Sequence, residues 1–190
     1  MKQERSVFAG KRQQHGGILP VLFAAAIVLG LAGYAMADWL GREVAELEQA
    51  NLENFDDLDF NVFTGQKWDE LGRSHAQDII VHWPDARTTR GIAAHIEDLK
   101  GMFVFAPDTR IQEHPIRIAS GKWTAVMGIM EGTFSKPMPI GDGETIAPTG
   151  KAFKLPMATI GRWDGEGGTM AEEWLFWDNQ SFMKQIGLAE

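Results

Sequence analysis

The sequence predicts an α+β domain in which N-terminal helices pack on a strongly curved antiparallel sheet. Apolar residues recur at helical spacing in the first half of the chain, extended runs follow in the second half, and Gly and Pro separate these runs. Helices followed by strands are typical of α+β folds, because a sheet with helices on one side buries that face by curving around them.

The predicted helices come first. Apolar residues within residues 42–63 predict one amphipathic helix, and a shorter helical turn ends at Gly72, a typical C-cap. A further helix is predicted over residues 92–103, because its apolar residues lie at helical spacing, and Pro107 marks its end.

The predicted strands lie mainly in the second half. The first is DIIVHWPD, residues 78–85, a β-branched run closed by Pro84. Four further extended runs predict the rest of the sheet: 109–120, 122–134, 152–163 and 169–178. Residues 135–151 are rich in Pro and Gly, so we expect a loop or the splayed end of a hairpin there.

Composition excludes several classes of function. A net charge of -8 at pH 7 argues against binding to a nucleic-acid backbone, which requires clustered Lys and Arg. The chain has no cysteine, which excludes disulfides, thiolate nucleophiles and Cys-ligated zinc. A length of 190 residues with 44% hydrophobic residues suits one domain of ordinary size.

Residues 1–37 are predicted to be a signal peptide or an N-terminal membrane anchor. Basic residues precede an uncharged apolar run, Ile18 to Ala37, which ends in the small-x-small pattern of a signal peptidase site. The run is also just long enough to cross a bilayer. Cleavage predicts a periplasmic or secreted protein, and an uncleaved anchor predicts a membrane-attached domain outside the cytoplasm. The domain itself is predicted at residues 38–190.

An ordered series of short motifs extends over residues 51–188. They are DIIVHWPD, a glycine at Gly91 that opens a helix, APDTRI, GTFSKPMP, APTGKAF, RWDGEGG, EEWLFWD and KQIGL. In this order they resemble the SnoaL-like polyketide cyclase family, which includes ester cyclases.

The resemblance implies a fold and a chemistry. The fold is nuclear transport factor 2-like: a cone of helices packs against a strongly curved antiparallel sheet and encloses a mostly apolar pocket. The chemistry is ring closure in a polyketide methyl ester by an intramolecular aldol reaction, with an Asp as acid/base and without a metal or cofactor. The resemblance also implies a homodimer formed through the sheet.

This chain departs from the family at the catalytic Asp. The family reads Glu-His-Trp-Asp, with the catalytic Asp last, where this chain has EEWL, so Leu175 occupies the catalytic position. Strand side chains alternate between faces, so Glu173, Leu175 and Trp177 are predicted to line the pocket and Glu172 to face outward. We expect Glu173 to replace the Asp as the catalytic carboxyl, with its pKa raised toward neutrality by dry surroundings. The alternative is a structural ion pair between Glu173 and an arginine: Arg162, Arg110 or Arg117.

Histidines supply further candidates. His82 stands where many family members have a pocket histidine, and it is predicted to be catalytic, as a hydrogen-bond partner of a carbonyl or as a proton carrier. The alternative is a histidine at a strand end, bonded to backbone. The preceding strand, residues 152–163, has no histidine where the cyclases have an assisting one. Since His75, His95 and His114 lie in different segments without the spacing of metal ligands, no metal site is predicted.

Two tryptophans and one aspartate complete the candidates. Trp83 and Trp163 are predicted to line the pocket, where an indole could stack on a flat ligand. Asp178 is predicted to cap the last helix rather than to take part in chemistry.

Three functions remain open. The first is an exported enzyme that moves protons on a small carbonyl compound without a cofactor, through Glu173 and His82. The second is a non-catalytic protein of the same fold that binds a small apolar or aromatic molecule. The third is a structural dimer whose outer sheet face, with Trp174 and Phe176, is an interaction surface. None of these involves nucleic acid, and a membrane is involved only through residues 18–37 if they remain attached.

Overall fold

The computed structural model describes residues 18–190, except for the side chains of residues 18–30 and 32. The first 17 residues of the predicted export segment therefore lie outside the described residues, together with many side chains of its apolar run. Among the residues that were described, no helix is long and apolar enough to cross a membrane. The chain divides into two units, Met1–Glu43 and Val44–Glu190.

Helices occupy the predicted places. The α-helices are α1 (Ile18–Asp57), α2 (Ile92–Phe105) and α3 (Asn179–Gln185). A π-helical turn, Leu58–Phe63, continues α1, and a 3-10 helix follows at Trp68–Arg73. The last helix starts as predicted, because the Asp178 carboxylate accepts a hydrogen bond from the backbone N–H of Ser181 at 3.0 Å.

Within residues 18–190, nine strands form two sheets. They are β1 (His75–His82), β2 (Thr88–Arg90), β3 (Arg110–Ile111), β4 (Ile116–Ser120), β5 (Trp123–Thr133), β6 (Met138–Gly141), β7 (Glu144–Ile146), β8 (Ala152–Arg162) and β9 (Met170–Phe176). The larger sheet has the order β2-β1-β9-β8-β5-β3, and β4 also pairs with β5. The Pro- and Gly-rich segment 135–151 contains the small hairpin β6–β7, whose turn residues Asp142 and Gly143 both have positive φ.

The large sheet is mixed rather than wholly antiparallel. Strands β5, β8 and β9 pair antiparallel, as their order in the sequence predicts. The exception is the pair β1 and β9, which run parallel and join the first strand to the last. Parallel neighbours need a long connection, and here the chain between the two strands contains α2 and most of the sheet.

The core lies between the helices and the inner face of this sheet. Every second residue of β5 from Thr124 to Gly132 is buried, as expected for a strand with one face on the core. Two clusters of buried apolar side chains form the core, one around Phe134 and Leu155 and the other around Phe55 and Val81. The α+β fold class predicted from the sequence is confirmed.

Candidate functional site

A cavity of about 250 Å³ opens between the inner sheet face and the helices. Apolar side chains form most of its wall, among them Leu58, Leu99, Met102, Met130 and Leu175. Two groups of polar side chains in the wall bear on its chemistry: the first is Asp59, and the second is His75, His95 and Glu173. Other polar residues also line the cavity: Asp85, Arg87, Asp98, Thr159 and Asn179. The second group unites the predicted Glu173 with two histidines that were not predicted to form a site.

Glu173 contacts two buried imidazoles. Its Oε1 lies 3.0 Å from His95 Nε2 and 3.7 Å from His75 Nε2, and each of the three side chains is at most 3% exposed. The elements that supply them are β9 for Glu173, β1 for His75 and α2 for His95. Strands β1 and β9 are direct neighbours, and α2 packs on β1, so three distant segments meet at one point.

The prediction that dry surroundings raise the pKa of Glu173 toward neutrality is wrong. Burial does raise the pKa of Glu173, but the charges and the close approach of His95 and His75 outweigh burial, so its pKa is below the ordinary value. Glu173 is therefore an ionised carboxylate held by histidines. The alternative of an arginine partner is also wrong: Arg162 pairs with Glu172, Arg110 with Glu131, and Arg117 with Asp56.

Asp59 begins a hydrogen-bonded chain that leads from the cavity to the surface. Its Oδ2 lies 2.8 Å from His114 Nε2, and His114 Nδ1 lies 2.7 Å from Asp56 Oδ1. The His114 side chain is 1% exposed, while that of Asp56 is 25% exposed and also pairs with Arg117 at 3.0 Å. Asp59 lies in the π-helical turn after α1, a type of local structure that is frequent at functional sites.

The pKa values of Asp59 and His114 are shifted in the same direction. Burial is the largest cause of the raised pKa of Asp59; the hydrogen bond from His114 opposes it, and the charge of Glu173 adds to it. Burial lowers the pKa of His114, but hydrogen bonds and charges from Asp59 and Asp56 outweigh this, so the net pKa is raised. The pair therefore retains its protons to a higher pH than the same groups in water.

Gly128 makes room for this pair. It lies on the inner face of β5, where a Cβ would meet Ile111 Cγ2 at 3.1 Å and both Asp59 Oδ2 and His114 Cδ2 at 3.5 Å. An added methyl group would therefore be in ordinary contact with Asp59 and His114 and tight only against Ile111.

His82, predicted to be catalytic, lies on the opposite face of the sheet. Its Nε2 is 2.8 Å from Glu172 Oε1, and its ring stacks on Trp174 with centroids 4.9 Å apart. The reason is strand alternation, because Val81 next to it is fully buried on the inner face. His82 therefore does not reach the cavity, and the resemblance to family members with a pocket histidine does not extend to its orientation.

Of the four residues predicted to line the pocket beside Glu173, three do so and one does not. Leu175, Trp177 and Trp83 line the cavity with Glu173. Trp163 does not: it is 2% exposed, donates from Nε1 to Thr124 Oγ1 at 2.9 Å, and packs against Phe55 in the core.

Asp59, His75 and His95 were not among the site residues predicted from the sequence. For Asp59 a signal existed, since FDDLDFNVF places an acid between Leu58 and Phe60. For the histidines the absence of regular spacing was misleading, because His75, His95 and Glu173 each offer a ligand atom within 4.8 Å of the others and could hold a metal ion. Ligand spacing along the chain reveals only sites built within one segment.

Comparison with known proteins identifies the family. The sequence profile of the SnoaL-like polyketide cyclase family matches residues 53–186. No curated protein sequence matches the chain.

Solved structures share the fold at low sequence identity. A SnoaL-like candidate polyketide cyclase from Jannaschia sp. CCS1 has a TM-score of 0.64 and 18% identity, covering 76% of this chain and 96% of that one. IdmH, a candidate polyketide cyclase from Streptomyces antibioticus, has a TM-score of 0.60 and 20% identity, and the match covers 72% of this chain and 98% of IdmH. AclR from Streptomyces galilaeus, a candidate hydroxylase, has a TM-score of 0.59 and 15% identity, and the match covers 77% of this chain and 88% of AclR.

The predicted nuclear transport factor 2-like fold is confirmed by these likenesses. The profile spans well over half of the chain and includes Asp59, the histidine cluster and Glu173. The chain therefore belongs to the SnoaL-like polyketide cyclase family.

Proposed function

We propose that this protein binds a small carbonyl compound in the cavity and catalyses proton transfer to or from it, with Asp59 as the group that exchanges the proton. The observation that carries the proposal is the chain Asp59–His114–Asp56, in which a cavity carboxyl connects through a buried imidazole to the surface. A proton gained by Asp59 can leave through His114, so the carboxyl is restored after each turnover.

The apolar wall supports a small apolar or aromatic substrate. Leu175, Trp83 and Trp177 offer flat or branched apolar surface, and pockets of this kind bind ligands mainly through apolar area with a few polar groups that fix orientation. The raised pKa of Asp59 also suits the chemistry, because a carboxyl poised nearer neutrality is a better proton acceptor next to a carbonyl than an ordinary one.

Glu173 keeps a catalytic role in this proposal, but a different one from that predicted. As an ionised carboxylate beside His75 and His95, it orients the two imidazoles toward the cavity. An N–H of His95 can then donate a hydrogen bond to the carbonyl oxygen and stabilise the negative charge that develops when the neighbouring carbon loses its proton.

Deuterium exchange into a model ketone tests the proposal even though the natural substrate is not identified. The protein is incubated in D₂O with a bicyclic aromatic ketone, 2-tetralone, and deuterium uptake next to the carbonyl is followed by mass spectrometry. We expect the wild type to accelerate uptake and Asp59→Asn to lose about 100-fold or more of that acceleration.

Asp57→Asn is the matched control, because Asp57 lies two residues away and pairs with Arg73 at 2.7 Å outside the cavity wall. If Asp59→Asn and Asp57→Asn exchange at the wild-type rate, Asp59 is not the proton-transfer group. Ketone binding without any accelerated exchange, measured by quenching of Trp83 and Trp177 fluorescence, would instead support the non-catalytic ligand-binding function.

We further propose that the domain acts outside the cytoplasm. The basis is the sequence of residues 1–37 alone, with its basic start, apolar run and small-x-small end. N-terminal sequencing of the protein from an exporting host should give a chain that begins at Asp38. A chain that begins at Met1 in the soluble cytoplasmic fraction would contradict the proposal.

We also propose that the outer sheet face binds a second copy of this chain. Paired residues on four strands form an outward row from Ile118 through Ala125 and Ile160 to Trp174. The flanking Ile116, Trp123 and Phe176 are 47%, 45% and 51% exposed. Light scattering should give a dimer for the wild type and a monomer for Ile118→Glu; a monomeric wild type would contradict the proposal.

A further inference from the structure

The cluster of His75, His95 and Glu173 has a property that the proton-transfer proposal does not use. The three side chains come from three elements, each is buried, and one ligand atom of each lies within 4.8 Å of the other two. Glu173 Oε1 faces both His75 Nε2 and His95 Nε2, at 3.7 and 3.0 Å.

These close approaches are not hydrogen bonds. Among the residues that the structure describes, neither His75 Nε2 nor Glu173 Oε1 has a hydrogen-bond partner. A buried polar atom without a partner is costly, and two that face each other at a short distance need a compensating group.

The hydrogen bonds of Ser74 determine which nitrogen of His75 carries the proton. Ser74 Oγ donates to the carbonyl oxygen of Leu71 at 3.1 Å, so its hydrogen is already used. The same Oγ lies 2.8 Å from His75 Nδ1 and therefore accepts a hydrogen bond from an Nδ1–H. A neutral His75 then directs the lone pair of Nε2 toward the carboxylate of Glu173.

A lone pair that faces a carboxylate is repulsive, and the repulsion is relieved either by a second proton on His75, placed on Nε2, or by a metal cation at the same position. Two imidazole nitrogens and one carboxylate oxygen form a ligand set that suits divalent first-row transition metals, and three protein ligands leave positions open for substrate. The contact between Ser74 and His75 Nδ1 is the kind of outer contact that orients a metal-binding histidine.

We propose that His75, His95 and Glu173 bind one divalent transition-metal ion, with its open coordination positions directed into the cavity toward a carbonyl oxygen of the ligand. The ion would polarise that carbonyl as a Lewis acid. This inference assigns the carbonyl-stabilising role of the cluster to a metal ion rather than to an imidazole N–H. It does not depend on the role of Asp59, because neither Asp59 nor His114 belongs to the ligand set.

Cobalt binding tests the site directly. The full-length protein is stripped with a chelator, one equivalent of Co²⁺ is added, and visible absorption and retained metal after desalting are measured. We expect one Co²⁺ per chain with ligand-field bands of a nitrogen- and oxygen-ligated ion. Binding should weaken at least about 100-fold in Glu173→Gln and His95→Gln and about 10-fold in Ser74→Ala.

The controls separate this site from other histidines and from protein folding. His82→Gln, which alters a histidine paired with Glu172 on the outer face, should bind Co²⁺ like the wild type. If His95→Gln fails to fold by circular dichroism, X-ray absorption of the wild-type Co²⁺ complex gives an independent reading, with two imidazoles expected. Absence of stoichiometric Co²⁺, or equal losses in His82→Gln and Glu173→Gln, would overturn the inference.

The two proposals fail separately. Asp59→Asn should lose ketone exchange and retain Co²⁺. A wild type that accelerates exchange but binds no Co²⁺ leaves the role of Asp59 intact and overturns only the metal site.

Discussion

Glu172 and Glu173 are neighbours in β9, yet their surroundings have little in common. Glu172 lies on the outer face, 20% exposed, and pairs with His82 at 2.8 Å and Arg162 at 2.9 Å. Glu173 lies on the inner face, 3% exposed, and its charged neighbours are histidines. One residue of strand separates a partly solvated ion pair from a buried carboxylate in a cavity wall.

The causes of the two pKa shifts explain the difference. The pKa of Glu172 is lowered chiefly by its hydrogen bond with His82, with Arg162 adding and partial burial opposing. The pKa of Glu173 is lowered although burial is the largest single influence on it and acts in the opposite direction. The ion pairs of Glu172 are partly exposed, so the exclusion of water strengthens them little. Glu173 is buried, and it stays ionised only because its histidines are close.

The largest expected effect separates the two glutamates by function. Glu173→Gln keeps the shape of the side chain but removes the charge that orients His75 and His95, so deuterium exchange into 2-tetralone should fall about 100-fold. Glu172→Gln should change the rate less than about twofold, because Glu172 does not line the cavity. Equal rates for the two variants would remove the functional distinction between the two faces.

The next effect concerns the space beside Asp59. Gly128→Ala should lower the free energy of unfolding by about 1–3 kcal/mol, because the new methyl group would lie only 3.1 Å from Ile111 Cγ2 in a packed wall. Gly101→Ala in α2 is the control: no atom lies within 4 Å of its Cβ position, so it should stabilise by about 0.5–1 kcal/mol. Urea unfolding measures both, and a neutral Gly128→Ala would mean that the inner wall is not tightly packed.

The free energy of unfolding should depend on pH through His114, the partner of Asp59. Asp59 and Asp56 raise the pKa of His114 above 6.5, so the stabilisation from protonated His114 is complete below that pH and is lost as pH rises through the folded-state value. The free energy of unfolding of the wild type should therefore decline from pH 6 to pH 9 by about 1 kcal/mol more than that of His114→Gln.

Denaturant unfolding at several pH values measures this decline. The matched control is His82→Gln, whose histidine faces Glu172 on the outer side of the sheet. Parallel stability curves for the wild type and His114→Gln would contradict the shifted pKa of His114.

The smallest effect is expected on the outer face. Removing the charge of Glu172 should lower the free energy of unfolding by no more than about 1 kcal/mol, and the loss should shrink at high salt, because a partly exposed ion pair is screened. If Glu172→Gln lowered the free energy of unfolding by much more than this, the stability of the outer face would depend on its charges as strongly as that of the inner face.

Periodic features of the chain were predictable from the sequence. Alternation in β9 placed Glu173 and Leu175 on one face and Glu172 on the other, because successive side chains of any strand point to opposite sides. The same rule, applied to β1 from the buried Val81, would have placed His82 outside, where the family resemblance suggested the pocket. The burial of Val81, from which the rule has to start, is known only from the structure.

The partners of the site residues were not predictable in the same way. His75 and His95 lie 20 positions apart, and they lie 98 and 78 positions from Glu173. The arginines first considered for Glu173 all pair elsewhere. Asp59 met His114 only because the loop between β3 and β4 brings that histidine against the π-helical turn. These contacts depend on the parallel pairing of β1 with β9 and on how the helices cross the sheet.

Four features could be predicted from the residues alone: the family, the α+β fold, the cap at Asp178 and the face on which each glutamate of β9 lies. Each of these follows from local spacing, residue type or the order of short motifs. The folded chain was needed to show that two histidines contact Glu173, that Asp59 joins the cavity wall, and that His82 and Trp163 do not. The reason is physical: alternation acts between adjacent residues, whereas side-chain partners are chosen by distances between elements that are set when the whole sheet curves around its helices.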